Sequence, residues 1–391
     1  MSKIYEESAS ALKLVKSKRM GLKEACYRTK GNVRAVTALV SKVLRLRKKL
    51  EAEVALKWPG CKNLELAVVM LFDYWKTGKI SGGGLFKQNI LKRFKKKQVE
   101  ESIEEYRWVR TNPSKGTVHL EGQDRLIKGL FRVKRSKEVE DLINQGKVIA
   151  QEKASCMPAE ALVLEKGNWN AIDACAAPGN KTLQLAARMK PLTSGKLFAY
   201  EISPKRYQLL KSRVENLGSD NIVVKNEDFL RAQLPERVST VLLDPSCSGS
   251  GILSQQLVDY SRFRYNPNYK SKRVKSIARF QQKILLRALE IPCVKQVIYS
   301  TCSVYKAENE EVVESVMLKK WRKFKLVKVL PQWKRRGLGK WGDYMLRTNP
   351  FKDNTQGFFV AYFKKRPLRL KHRLITRTHG YWNRKKHIKF N

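Results

Sequence analysis

From about residue 150 onward, short apolar runs alternate with stretches of helical periodicity. The runs at 171–174, 196–200, 222–225, 238–243 and 297–300 are largely apolar throughout, and helical patterns at 183–189, 207–217, 284–289 and 311–318 fill the intervals. A strand that is apolar on both faces must be covered on both faces. A parallel sheet flanked by crossover helices satisfies that demand. Two later runs, 324–330 and 357–363, predict an antiparallel pair at one edge of this sheet.

The chain before residue 150 has another character. Ala9, Leu12, Leu14 and Val15, then Val33, Val36, Leu39, Val40, Val43 and Leu44, recur at helical spacing, and no proline intervenes before Pro59. Lys42, Arg45, Arg47, Lys48 and Lys49 fill the opposite faces, which predicts a helical bundle with a cationic exterior. Residues 64–75 also read as a helix. The Gly82, Gly83, Gly84 triplet beside the basic stretch at 92–97 reads as a connector. Residues 106–111, Tyr-Arg-Trp-Val-Arg-Thr, alternate as a strand does, and their aromatics and arginines suit stacking on unpaired bases. Residues 364–391 contain no acid. Four regions are expected: a helical basic region (1–60), a small RNA-binding domain (61–150), the main α/β domain (151–363) and a basic tail (364–391).

Charge narrows the partner. Lys and Arg number 81 against 35 Asp and Glu, a formal charge of +46, and such self-repulsion calls for a polyanion; nucleic acid fits best. No apolar run approaches the roughly 18 residues of a membrane span, so no membrane partner is expected. The first residues lack the apolar core of a secretory signal. Seven cysteines, none in a C-x-x-C pair, and four histidines offer no zinc set and predict reduced thiols inside the cell.

Three constellations could carry chemistry. The first is a strand running through Asp173 into a small-residue turn, Cys175-Ala176-Ala177-Pro178-Gly179-Asn180-Lys181, and on into a helix. Small residues admit a close ligand and a helix N-terminus favours its carboxylate or phosphate, although the spacing is neither G-x-G-x-x-G nor a Walker loop. The second is a ladder of acids after successive strands: Glu201, Asp228 and Asp244. Each alone suits a helix cap; together they favour a nucleoside-bearing cofactor. The third is Cys247 in Asp244-Pro245-Ser246-Cys247-Ser248-Gly249 and Cys302 in Tyr299-Ser300-Thr301-Cys302-Ser303, both just past strand ends. A lone cysteine is usually a small buried hydrophobe, but one in a polar turn at this rim is a candidate nucleophile.

These three motifs, in this order, resemble the Fmu/Sun family of RNA cytosine-5 methyltransferases across about residues 105–363. Asn180 in the turn and Ser246 before Cys247 resemble the eukaryotic branch that modifies large-subunit ribosomal RNA. The resemblance implies a Rossmann-like S-adenosylmethionine-dependent α/β sheet with an antiparallel edge strand, preceded by a helical region and a small α+β RNA-binding domain. It implies that Cys302 adds to cytosine C6, that the resulting enamine attacks the sulfonium methyl, that Asp244 holds the pyrimidine edge, and that Cys247 assists loss of the C5 proton and release. S-Adenosyl-L-methionine would lie against Cys175, Ala176, Ala177, Pro178, Gly179, Asn180 and Lys181, with Glu201 at its ribose, Asp228 at its adenine edge, and Arg206 and Asp244 as further contacts. The expected protein is a nuclear, nucleolar monomer that methylates large-subunit rRNA or a pre-ribosomal particle without a metal. The alternative is a non-catalytic RNA-binding ribosome-assembly factor that uses a methyltransferase fold.

Overall fold

The computed structural model describes residues 2–17, 22–29, 31–82, 84–97, 106–252, 267–268, 270–350 and 352–367. The expected basic tail therefore lies almost wholly outside the described residues, as does Gly83.

Five helices open the chain: α1 (Lys3–Ser17), α2 (Leu22–Tyr27), α3 (Val33–Lys57), α4 (Leu64–Thr77) and α5 (Leu85–Arg93). Asparagine side chains start two of them: Asn32 accepts from Arg34 N and Ala35 N, and Asn63 accepts from Leu66 N. The residues from Leu66 to Phe72 are all buried, so α4 is the central helix of the bundle. Leu12, Val40, Val43, Val69, Phe72 and Ile90 share one core. That core crosses the boundary expected at residue 60. The cause is simple: α4 buries an unbroken run from Leu66 to Phe72, which α1 and α3 before it and α5 after it cover together.

A small antiparallel sheet follows, with order β2-β1-β3, formed by β1 (Tyr106–Thr111), β2 (Leu130–Lys134) and β3 (Val148–Ala150) beside α6 (Lys137–Asn144). The strand expected at 106–111 forms, but its arginines do not wait for bases. Arg107 is paired with Glu140, and Arg110 is buried, donating to Gln151 Oε1 at 3.1 Å.

Next come α7 (Lys153–Ala161), β4 (Asn170–Asp173), α8 (Asn180–Met189), β5 (Leu197–Tyr200), α9 (Pro204–Asn216), β6 (Ile222–Lys225) and β7 (Val238–Leu243). The chain continues through α10 (Lys272–Glu290), β8 (Gln296–Thr301), α11 (Glu310–Lys320), β9 (Phe324–Val327), β10 (Leu346–Thr348) and β11 (Phe358–Lys365). The sheet order is β10-β11-β8-β7-β4-β5-β6, with β9 also on β11. From β6 to β8 every pairing is parallel, while β11 runs antiparallel to β8. All residues of β7 and β8 are buried. Their side chains alternate between two cores: Val241, Leu243, Val297 and Tyr299 on one face, Leu242 and Ile298 on the other.

The edge carries one strand more than the sequence pattern predicts. The two later runs pair antiparallel as expected, β9 with the second half of β11, and β10 pairs with its first half. Among the described residues no helix is long and apolar enough to cross a membrane.

Strand order reverses at β4, between β5 and β7, so a crevice opens at the carboxyl ends of β4 and β7.

Candidate active site

Asp173 ends β4 and organises the turn after it. Its Oδ2 accepts from Thr182 Oγ1 at 2.8 Å and its Oδ1 from Cys175 N at 3.4 Å. Burial pushes this carboxyl up to about 7, despite the Thr182 hydrogen bond. Gly179 has a φ of 101°, a backbone that side chains resist, and Leu183 N closes onto its carbonyl at 2.9 Å to start α8. The turn therefore presents the positive end of α8 to the crevice.

Glu201 follows β5 and is 4% exposed. Its Oε1 accepts from Ser203 N at 3.0 Å, and Arg206 Nη1 lies 3.3 Å from its Oε2. Arg206 also donates to the carbonyl of Ala177, tying acid and turn together. Asn180 turns away to Arg213, 2.6 Å distant, and to the carbonyl of Ala150 at 3.3 Å, so it locks the turn to the small sheet. Asp228, past β6, accepts from Leu230 N at 3.0 Å and stays within its own turn. The donor set suits an adenosyl cofactor: small residues for close approach, a helix N-terminus for a carboxylate, and a recessed acid for ribose hydroxyls.

The catalytic candidates converge across the reversal point. Lys181, on the first turn of α8, reaches over to Asp244 Oδ2 at 2.8 Å and to Ser155 Oγ at 2.9 Å, while Ser300 donates to Asp244 Oδ1 at 2.7 Å. Burial works against the ammonium, but the Asp244 charge and hydrogen bond outweigh it and hold Lys181 above its usual range. The Lys181 charge also acts on Cys302. Cys247 Sγ and Cys302 Sγ are 2.9 Å apart, both as free cysteines. The hydrogen bond with Cys302, then burial, raise the Cys247 thiol well above its ordinary range. One sulfur donates to the other, and the Lys181 ammonium close by is a charge that would stabilise a thiolate at this rim.

Residues 159–364 match the family described as 16S rRNA methyltransferase RsmB/F. The chain belongs to this family.

A Schizosaccharomyces pombe relative named 25S rRNA (cytosine-C(5))-methyltransferase rcm1 is 32% identical over 91% of this chain and 90% of its own length. An Arabidopsis thaliana relative named 25S rRNA (cytosine-C(5))-methyltransferase NSUN5 is 42% identical over 57% of this chain, a match that spans 40% of that protein. The solved structure of PH0851 superposes with a TM-score of 0.61, covering 93% of this chain and 98% of its own at 19% identity, which shows the shared fold.

Within the RsmB/F fold of this chain, a buried network that sequence reasoning missed supports both cysteine loops. Glu308 is fully buried and accepts from Ser248 N at 2.8 Å, Ser303 Oγ at 3.0 Å and Gln281 Nε2 at 3.3 Å. Burial raises its carboxyl, and these donors oppose the rise. Ser250 Oγ and Ser303 Oγ are 3.0 Å apart, joining the two loops. Gly251 threads between them: its N–H donates to the Cys302 carbonyl at 2.9 Å, and a Cβ there would sit 2.0 Å from the Gly357 carbonyl. The signal available in the sequence was the run Glu308-Asn309-Glu310 soon after Cys302, polar residues at the start of α11.

Proposed function

We propose that this chain transfers a methyl group from S-adenosyl-L-methionine to position 5 of a cytosine in large-subunit ribosomal RNA, through a transient Cys302–C6 bond. The single observation that carries the mechanism is the pair of free sulfurs 2.9 Å apart beside the Lys181–Asp244 contact. The names of the yeast and plant relatives, both rRNA cytosine-C(5)-methyltransferases, support the substrate.

Cytosine C5 is a weak nucleophile, so the ring must be activated first. The sulfur of Cys302, its negative charge favoured by the Lys181 ammonium, adds to C6 and pushes electron density onto C5. Asp244, held by Lys181 and Ser300, lies at the same rim to hydrogen-bond the amino and N3 edge of the base as charge shifts. Bound in the crevice, S-adenosylmethionine supplies an electrophilic methyl. Glu201 and Arg206 would hold its ribose side; the backbone of Cys175, Ala176, Ala177, Pro178, Gly179 and Asn180, with the head of α8, would hold its amino-acid side. Asp228 would meet the adenine edge. After methylation the C5 proton leaves with the help of Cys247, and the C6–sulfur bond breaks to restore the aromatic ring.

The target base must leave its stack to meet Cys302, and unpaired or splayed RNA meets that need. The excess positive charge supplies the phosphate contacts. The substrate places the protein in the nucleus, in the nucleolus, where it acts as a monomer in ribosome biogenesis.

The test uses methyl transfer from labelled S-adenosylmethionine to large-subunit rRNA. Cys302→Ala should abolish transfer and keep cofactor binding, whereas Cys247→Ala should accumulate an RNA–protein adduct that survives denaturant. A Cys302→Ala protein with full activity refutes the mechanism. A wild-type protein that labels no rRNA, in cells whose ribosome assembly still depends on it, establishes the assembly-factor reading instead.

A further inference from the structure

The far end of the sheet carries a second feature, remote from the chemistry. β8 reaches the active-site rim at Thr301 and begins at Gln296; β11 runs back beside it and ends at Lys365, opposite Phe324 of β9. Against these distal strand ends lies a groove of about 930 Å³. Leu289 and Phe324 give it a buried apolar floor. Its walls carry Arg322, Lys323, Lys325, Lys365 and Arg366, while its one acid, Glu290, is paired with Lys320 at 2.7 Å. Trp321, 54% exposed, stands in the wall with the Arg322 guanidinium 5.4 Å from its ring centroid.

The cationic wall is anchored by main-chain contacts. Arg366 Nε donates to the carbonyls of Trp321 at 2.9 Å and Phe324 at 3.2 Å, and Lys365 Nζ donates to the Pro292 carbonyl at 2.9 Å. An exposed indole beside a row of cations is the arrangement that takes unpaired nucleotides, the base stacking on the ring and the phosphates tracking the charges. Residues 368–391 contain no acid, so a cationic wall offers them no complementary charge.

We infer that this groove is a second RNA site, binding an unpaired stretch of the substrate RNA at the end of the strands opposite the reacting cytosine. The inference rests on the RNA reading above and adds a contact that the catalytic rim does not make. It gives the enzyme a grip on its RNA at both ends of the strands, so that specificity for a folded rRNA depends on the spacing of two sites.

The experiment measures binding of the full chain to a large-subunit rRNA transcript across a salt series, together with kcat and KM for methyl transfer. Trp321→Ala should weaken binding at least about fivefold, and Trp321→Phe should restore it. Arg322→Glu with Lys323→Glu should lower the salt slope by about 1.4, at about 0.7 per lost phosphate contact on single-stranded RNA, with KM raised and kcat unchanged. RNA binding and slopes equal to wild type overturn the inference, as does a loss confined to phosphatidylserine vesicles or to a poly-glutamate peptide. Wild type that methylates rRNA while the groove variants behave normally sinks the groove alone. Wild type that needs Trp321 to bind rRNA yet transfers no methyl sinks the catalytic reading alone.

Discussion

The helical region and the α/β region are both cationic, yet they are built on opposite rules for their interiors. Among the described residues before 100, Ser8 is the one buried polar side chain besides tyrosine and tryptophan. The sheet region buries Asp173, Glu201, Glu308, Glu310 and Arg347 as well as many hydroxyls and amides. A buried carboxylate costs several kcal/mol unless it is met by donors or cations. Those partners are present: Arg347 binds Glu310 through two contacts of 2.6 Å and donates to the Val304 carbonyl at 2.9 Å, two residues past Cys302. The contrast shows where chemistry is invested. An apolar core needs only the right volume, whereas a polar one holds atoms at set distances.

The largest test of that contrast is Arg347→Leu, which strands a buried carboxylate. Its expected cost is about 3–5 kcal/mol, read by denaturant unfolding of the α/β region. In the helical core, Leu71→Ala should cost about 2–4 kcal/mol, and hydrogen exchange should show the loss confined to α1–α5 while methyl transfer is unchanged. If the sheet region loosens equally, the two regions are one cooperative unit. Lys181→Met leaves Asp244 without its ammonium partner and should lower kcat about a hundredfold, with the fold retained by circular dichroism. A rate within a factor of a few of wild type would remove Lys181 from the mechanism.

A pH comparison is gentler. The Asp173 carboxyl, raised to about 7 in the folded chain, favours its protonated form there more than in the unfolded chain, where it titrates near 3.9. Its stabilising contribution is complete below about pH 4 and is lost as pH rises through about 7. The stability of wild type relative to Asp173→Asn should therefore fall across that window, by at most about 1.4 kcal/mol per pH unit, and run parallel above it. A difference independent of pH would show that Asp173 is ionised throughout. The smallest effect belongs to the surface: Lys190→Ala, which removes an exposed contact of 2.9 Å to Asp220, should change stability by less than about 0.5 kcal/mol.

Much of the fold was legible because it rests on local pattern. Continuous apolar runs mark β7 and β8, helical spacing marks α1, α3 and α9, and Cys247 and Cys302 each follow a strand that ends at the same rim. What pattern could not show is which partner a polar side chain meets across the sheet. Lys181 reads as part of a cofactor turn and yet also holds Asp244, 63 positions away; Arg110 reads as an RNA contact and is buried against Gln151. The helical boundary at 60 gave way for a related reason, since the buried run of α4 shares its core with helices on both sides of that boundary.

By itself, then, the order of residues determined the strands, the helices, the motif turns and the charge, because each depends on neighbours within a turn or two of backbone. The tertiary structure alone decided the sulfur–sulfur approach, the Glu308 network beneath it and the cationic groove behind it. Those depend on residues brought together from separate strands, where burial sets the strength of every polar contact.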